Sequence, residues 1–255
     1  MPAHYAHYRF GKQVLSTMAP EQRQCVQRFR RMYDMGLNGP DIFFYFNPYW
    51  KTATGDLGET FHRQSGREFF AVAAKAATSE AALAYLYGLL AHYCLDSVCH
   101  PYIRQLVDIG EVKHTPLESA FERHLLLLDK KPSPQTYDMS KHWKLTRGEC
   151  MTVAAFYPGT TGAKISQSVK SMAFSVKFLQ HPNRTFRKKL LQKFKPSLCD
   201  HMIPEEDNED IALYLQGLKS RFDRAAKRYP RLLEQLTVSL RTGRELGEDF
   251  APDFG

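Results

Sequence analysis

The chain of 255 residues is 43% hydrophobic and 24% charged, which is typical of a globular protein with a substantial core. This composition argues against long disordered stretches, and no apolar run reaches the roughly 18 residues that span a bilayer. The formal net charge of +8 indicates an anionic partner, such as a phosphate-bearing substrate, a nucleic acid or a lipid surface.

Two features favour a cytoplasmic protein. Residues 1–15 contain neither a long apolar centre nor a small-residue cleavage site, so we expect no secretory signal. The chain has 5 cysteines, an odd number, and no CxxC spacing. This usage favours reduced thiols over a disulfide framework.

The first part of the chain predicts helices separated by turn residues. Helices are expected at about 10–18 and 20–35, before Gly36, Gly39 and Pro40 break the pattern. The aromatic run that follows this turn is typical of a core segment or a pocket wall.

Three polar residues in this part are candidate ligands. His7 lies near the aromatic-rich start of the chain. Asp41 follows the Gly-Pro turn, where an aspartate commonly caps a short helix. His62 lies beyond a loop predicted at 51–59 and begins a helix that extends to about residue 77. Each of the three also has an ordinary structural role open to it.

The stretch 81–101 predicts the central helix, with Ala and Leu as strong helix formers and Pro101 as its end. His92, Asp96 and His100 recur there at i, i+4 and i+8, so their side chains share one face. A carboxylate in such an apolar segment needs a partner, and a metal ion could satisfy all three groups together. A hydrogen-bonded His–Asp pair without metal is the alternative.

The segment after the central helix allows two interpretations. Thr115 as N-cap, Pro116 in the first helical position and Glu118 three residues after the cap would form a capping box. His114 and Glu118 are also four residues apart and could ligate a metal together. The local sequence leaves both open, and the helix is expected to end near Asp129.

The second half is predicted to be helical but poor in ligands. Residues 130–145, rich in Pro, Ser and Lys, predict a linker-like loop, and residues 248–255 are expected to be frayed. Helices are expected at 147–157, 161–179, 184–194, 210–229 and 231–243. No stretch alternates like a strand, so we expect an all-α protein. Residues 1–129 would form a metal-binding helical core, on which residues 146–255 pack as part of one domain.

A basic segment at 181–195 has apolar residues at helical spacing, namely Phe186, Leu190, Leu191 and Phe194. An amphipathic basic helix can lie on a membrane surface, which would give the protein peripheral membrane contact. It can also pack its apolar face on the domain and leave its charges in solvent. The pattern favours the second arrangement.

Taken in order, the candidate ligands resemble those of the zinc-dependent phospholipase C family, whose all-α fold is similar to that of S1/P1-type nucleases. The resemblance covers about the first half of the chain. It is carried by the HxxxDxxxH and HxxxE spacings and by the order of eight residues: His7, Asp41, His62, His92, Asp96, His100, His114 and Glu118. The implied fold is a multi-helix bundle of that type with additional C-terminal helices.

The resemblance implies a cluster of three zinc ions. One site would take Asp41, His62, His92 and Asp96, with Asp96 bridging to a second ion that also binds His7. The third would take His100, His114 and Glu118. Secreted family members also use the free amino terminus of the mature enzyme as a ligand. Here the amine of Pro2 or the side chain of His4 could stand in its place, so two or three ions are expected.

This resemblance implies a phospholipase C-like hydrolase that cleaves phosphodiester bonds with a metal-activated water. An aspartate in the position of Asp41 is a ligand or a general base in such a site, and this choice stays open. The expected partner is a phosphodiester substrate, including phospholipid. Two alternatives are a nuclease or nucleotide phosphodiesterase on the same fold, for which no recognition motif is found, and a non-catalytic helical protein with a structural metal cluster.

Overall fold

The computed structural model describes residues 4–48 and 50–255. No strand occurs in these two ranges, and the prediction of an all-α protein is confirmed. The α-helices are α1 (His4–Val14), α2 (Pro20–Arg28), α3 (Arg30–Gly36), α4 (Asp56–His62), α5 (Gly66–Ala76), α6 (Glu80–Asp108), α7 (His114–Leu128), α8 (Arg147–Ala154), α9 (Gly162–Leu179), α10 (Arg184–Phe194) and α11 (Ala212–Thr242). Short 3-10 segments connect several of them, including one at Gly39–Tyr45.

Helix α6 is the axis of the fold. Ser79 caps its first turn by accepting a hydrogen bond from the Ala82 amide, and residues 84–96 are all buried. It packs against α3 and α11 on its two sides and also contacts α1, α2 and α7. The backbones of α3 and α6 can approach closely because Gly88 has no side chain. A Cβ at this position would lie only 2.2 Å from the Tyr33 carbonyl oxygen.

By length and hydropathy, α6 could cross a membrane, although no apolar run of the sequence predicts a membrane span. The apolar window of this helix is, however, 89% buried inside the protein. Such burial is typical of a core helix. The other helices of the protein cover the apolar surface that a membrane helix would expose to lipid.

Two prolines do not end helices, contrary to prediction. Helix α6 continues through Pro101 to Asp108, and α11 continues through Pro230 to Thr242. A proline inside a helix costs a hydrogen bond and some strain. Packing offsets this cost here, because α6 and α11 lie against each other along much of their lengths. Arg221 of α11, for example, lies 3.7 Å above the ring of Tyr102.

Two local predictions in the first half are wrong, and one open choice is decided. Residues 20–35 form two helices, because the backbone at Phe29 leaves the helical region. His62 ends α4 rather than beginning a helix, and Ser65 caps the next one. Of the two interpretations left open after the central helix, the capping box at Thr115 does not form, and helix α7 starts at His114. The carboxylate of Glu118 contacts histidine side chains instead of reaching back to the cap.

The C-terminal segment is packed on the protein through two side chains, although it was expected to be frayed. Phe250 and Phe254 are fully buried. The Pro252 carbonyl accepts a hydrogen bond from the Gly66 amide at 2.8 Å, and the Phe254 amide donates to the His62 carbonyl at 3.1 Å. These contacts attach the segment to the end of α4 and the start of α5, directly beside the candidate ligands.

Residues 130–145 contain only short 3-10 turns, but part of this segment packs against the rest of the protein. Met139 and Trp143 are buried in the hydrophobic core, and the Trp143 ring packs on His4 at 4.6 Å. The division into a core, a linker-like loop and a packed C-terminal part stays a prediction.

Candidate metal centre

The carboxylate of Asp96 is the centre of a buried cluster. Its Oδ2 lies 3.0 Å from His92 Nε2 on the preceding turn of α6. Its Oδ1 lies 3.2 Å from His7 Nε2 of α1 and 3.6 Å from His100 Nε2 on the following turn. His62 Nε2 is 4.0 Å from Oδ2. The helical spacing that was noted in the sequence therefore turns three side chains of α6 towards ligands from other elements.

Two further carboxylates complete the cluster. Asp41, in the 3-10 segment after α3, lies 3.0 Å from His62 Nε2 through its Oδ1. Glu118 of α7 lies 3.3 Å from His100 Nε2 and 3.1 Å from His114 Nε2 through its Oε1. The short distance from α6 to α7 thus brings the HxxxE pair against the last histidine of the HxxxDxxxH stretch.

Three sets of ligand atoms each lie within 4.8 Å of one another: His7, Asp41 and His92; His62, His92 and Asp96; and His100, His114 and Glu118. All eight residues implied by the resemblance therefore meet in one place. The third set is the one that was implied. The first set places His7 with Asp41 and His92, and His7 also contacts Asp96. The assignment of ligands to individual ions therefore stays a prediction.

Backbone carbonyls orient three of these rings through Nδ1. The pairs are His62 with Gly58 at 2.6 Å, His92 with Leu37 at 3.2 Å, and His100 with Gly255 at 3.4 Å. A carbonyl oxygen only accepts, so each Nδ1 carries the hydrogen and each Nε2 faces the cluster. Metal-binding histidines are commonly fixed in this way by a partner on the other ring nitrogen.

The donor set fits zinc. Imidazole nitrogens and carboxylate oxygens are its usual ligands, and two ligands in tetrahedral zinc coordination lie about 3.3 Å apart. The Nε2-to-oxygen distances around Asp96 and Glu118 span this value. His7 Nδ1, His92 Nε2 and Asp96 Oδ2 are also buried without a hydrogen-bond partner among the described residues. A cation would satisfy such atoms.

A family model described as "Zinc dependent phospholipase C" matches residues 6–160, which include all eight residues of the cluster. The chain belongs to the zinc-dependent phospholipase C family. Neither a search of curated proteins nor one of solved structures gives a significant match. The likeness of this family member to P1-type nucleases therefore stays a prediction. Family membership and the metal-capable cluster together indicate a zinc-dependent hydrolase.

The ionisation of the cluster is set by burial and by its mutual contacts. Burial lowers the pKa of His7. Burial acts in the same direction on His100, but the charges of Asp96 and Glu118 outweigh it and raise the pKa of His100 to about 9. Burial opposes ionisation of Asp96, yet the surrounding histidines hold its pKa well below the ordinary value. The metal-free centre of this phospholipase C family member therefore pairs carboxylates with protons held on imidazole.

Two further residues near the cluster, His4 and Cys99, do not join it. His4 is buried, but Asn38 and Tyr45 contact its two ring nitrogens at 3.0 and 2.9 Å. Cys99 is a buried thiol outside the three ligand sets, and burial raises its pKa. Pro2 lies outside the described residues.

A pocket of about 360 Å³ opens over the cluster of the zinc-dependent phospholipase C family member. Its lining includes Asp41, His62, His100 and His114, together with the cationic side chains of Arg63 and Arg104. Arg63 pairs with Glu59 on the pocket rim. Arg104 is half exposed and lies 3.9 Å from Asp253. The ligands thus face an opening where two arginines lie beside the carboxylates of Glu59 and Asp253.

Two features that support the centre were missed by sequence reasoning. Gly39 has a positive φ of 49°, and a Cβ there would lie 2.6 Å from His92 Nε2. The turn residue therefore makes room for a ligand, and only its position before Pro40 hinted at this. Phe254 packs on His62 at 5.7 Å and on His92 at 6.0 Å between ring centroids. No short-range pattern connects the chain end with α4 and α6.

Proposed function

We propose that the protein hydrolyses phosphodiester bonds as a phospholipase C-like enzyme that uses two or three zinc ions. The observation that carries the proposal is the meeting of eight ligands from five segments under a pocket that contains Arg104. A purely structural cluster has no need of an opening to solvent beside its ligands, whereas a catalytic one does.

The ligand sets described above would hold the ions. Zinc, when bound, supplies Lewis acidity towards phosphoryl oxygens and makes water a stronger nucleophile near neutral pH. The guanidinium of Arg104 would bind a non-bridging phosphate oxygen at the pocket mouth, because an arginine fork matches phosphate geometry.

Asp41 has two possible tasks in this reaction. Burial opposes its ionisation, but contact with His62 and the charge of His92 hold its pKa below the ordinary value. It therefore stays a carboxylate, which suits a ligand and also allows it to orient the attacking water by accepting a hydrogen bond from it. Its position in both the ligand set and the pocket lining supports either role.

The experiment is metal analysis and activity on the same preparation, purified without chelator. We expect two to three zinc equivalents and hydrolysis of phosphatidylcholine in mixed micelles, with little activity on nucleotide diesters or single-stranded DNA. Loss of Arg104, in Arg104→Ala, should raise KM by about tenfold, whereas Arg67→Ala should not, because Arg67 pairs with Glu248 away from the pocket.

Each failure has a distinct meaning. Zinc content without hydrolysis of any phosphodiester would support a structural cluster. Preference for nucleic acid would move the substrate class to that of a nuclease. Protein with less than one zinc equivalent, unrestored by added zinc, would remove the basis of the proposal.

We also propose a cytoplasmic location. All five cysteines are free in the structure, including Cys25 and Cys199, which are not fully buried. Thiol labelling in intact cells should find these two reduced. A disulfide or mixed disulfide at either one in freshly lysed cells would contradict the proposal.

A further inference from the structure

Large apolar side chains are exposed on one face of α9 and α10. Phe174 of α9 is 66% exposed, and Phe186 and Phe194 of α10 are 72% and 68% exposed. Phe186, Leu190 and Phe194 follow one another at intervals of four residues, so they form one stripe along α10. A contiguous apolar patch of this kind on a protein surface marks an interaction site.

Helix α10 is held to the protein by its other side. Leu191 is buried, and the buried Arg184 donates hydrogen bonds to the carbonyls of Gln135 and Ile203 at 2.8 and 2.6 Å. Arg187 lies 4.6 Å above the ring of Phe178 on α9. The predicted packing on the domain therefore holds for only one side of α10. Its apolar stripe is exposed on the other side.

The exposed charged side chains of α10 are all positive. Helix α10 contains no Asp or Glu, and its exposed residues include Lys188, Lys189 and Lys193. Within residues 4–48 and 50–255, none of these three lysines forms an ion pair. The face therefore joins bulky aromatic side chains to unneutralised ammonium groups, which is the chemistry that an anionic bilayer surface attracts.

We propose that this face of α9 and α10 is a docking surface for anionic membranes. Phe174, Phe186 and Phe194 insert between lipids at the level of the headgroups, and the lysines of α10 contact the phosphates around them. These helices lie beyond residue 160, where the family match ends. The surface is thus a property of this chain rather than something the match carries.

The docking surface leads towards the metal centre. An apolar groove of about 780 Å³ runs between Phe174, Phe194 and Phe44. Phe44 also lines the pocket over the cluster, and its ring lies 5.5 Å from that of His62. A docked protein would turn this groove to the bilayer and receive lipid from it, a step that rests on the proposed phosphodiesterase function.

The apolar contribution is tested by co-sedimentation of the zinc-loaded protein with large vesicles of phosphatidylcholine, with and without 30 mol% phosphatidylserine. We expect strong binding only to the anionic vesicles. Phe186→Ser/Phe194→Ser should weaken it by at least about tenfold, because two inserted rings are lost. The control Met151→Ser/Leu213→Ser removes comparably exposed side chains from other surfaces and should leave binding unchanged.

A second pair of variants tests the charge. Lys188→Glu/Lys189→Glu should abolish binding to anionic vesicles. Lys75→Glu/Lys227→Glu changes the formal charge equally, but on the exposed parts of α5 and α11, and should bind within about twofold of the wild type. Equal losses in the two pairs would indicate non-specific attraction by net charge and overturn the proposal.

The readout is independent of catalysis. Every variant is assayed on a soluble, monomeric phosphodiester, on which the surface variants should keep the wild-type rate even if docking is lost. An inactive wild type that still binds vesicles would remove the proposed function and leave the docking surface. Absence of vesicle binding, or a dimer that Phe186→Ser/Phe194→Ser converts to monomer without any vesicle binding, would overturn the docking proposal.

Discussion

His92 Nε2 and Asp96 Oδ2 lie 3.0 Å apart on consecutive turns of α6, and neither atom has a hydrogen-bond partner among the described residues. His92 Nδ1 donates to the Leu37 carbonyl, so Nε2 carries a lone pair whenever no proton or metal ion is bound to it. Two lone pairs at this distance repel each other unless a proton or a metal ion lies between them. The helix thus places two ligand atoms where a cation is required.

The ligands should not be equivalent when they are removed one at a time. His92 belongs to two of the three ligand sets, whereas His114 belongs to one and is partly exposed. We expect His92→Ala to lose about two zinc equivalents and most of the stability that zinc confers, and His114→Ala to lose about one. Elemental analysis and thermal unfolding of the purified variants measure both quantities.

His124→Ala is the matched control, because His124 lies on α7 outside the three ligand sets. It should keep the zinc content of the wild type. Equal zinc content in all three variants would show that the cluster is not a metal centre.

Removal of zinc should make the stability fall as the pH rises from about 6.5 to 9. Asp96 and Glu118 raise the pKa of His100 to about 9 against the lowering effect of burial. This contribution to the free energy of unfolding is complete below pH ~6.5 and is lost as the pH rises through ~9, up to about 3 kcal/mol. Zinc binds neutral imidazole, so the zinc-loaded protein should instead gain stability as the pH rises from 5 to 7.

Urea unfolding of chelated and zinc-loaded protein between pH 5 and 9.5 measures both slopes. Glu122 contributes in the same direction as His100, since burial raises its pKa to about 8. The metal-free series is therefore repeated with Glu122→Gln, which should keep the part of the slope above pH 8. Parallel slopes with and without zinc would mean that the imidazoles are not metal ligands.

Much of the centre was predictable because it depends on local geometry. The four-residue spacing on α6 fixes which side chains share a face, whatever surrounds the helix. The helices of the second half could also be predicted from their sequence pattern, and α10 has the bounds predicted for it. The partners of α6 were supplied only by resemblance, since nothing local relates His7 or Glu118 to Asp96.

What sequence reasoning missed depends on contacts between distant segments. Pro101 and Pro230 are strong local stop signals, and both were overridden by packing of α6 against α11. The choice between a capping box at Thr115 and a ligand pair was open from the sequence, and the contacts of Glu118 with the histidines decide it. The burial of Phe254 requires the assembled surface of α4, α5 and α6. Each outcome is decided by tertiary partners that a short window does not contain.

Gly39→Ala should displace a metal ligand. The positive φ alone costs a side chain about 1–2 kcal/mol, and a Cβ at this position would lie 2.3 Å from His92 Cδ2, which adds about 1–3 kcal/mol of overpacking. We expect loss of zinc as well as of stability. Gly110→Ala separates the two effects, because Gly110 has a φ of 78° with nothing within 4 Å of the added Cβ.

Gly110→Ala should therefore show only the conformational cost and keep its zinc. Calorimetry and metal analysis of the two variants make the comparison. If both lost the same stability and both kept their zinc, close contact between residue 39 and His92 would have no role in the centre.

Phe254 should support the metal centre in a way that Phe250 does not. Both side chains are fully buried, so each Phe→Ala change should cost about 3–5 kcal/mol in the free energy of unfolding. Only Phe254 packs on the rings of His62 and His92, whereas Phe250 packs on Phe70 and Tyr93.

Zinc affinity, measured by competition with a chromophoric chelator at a temperature where both variants are folded, should fall about 10- to 100-fold in Phe254→Ala and stay near the wild-type value in Phe250→Ala. The adjacent carbonyl of Gly255 also contacts His100 Nδ1, so displacement of this segment would release a second ligand ring. Equal zinc affinities in the two variants would mean that the C-terminal segment only stabilises the fold. A loss in Phe254→Ala alone would mean that this segment also orients the ligands.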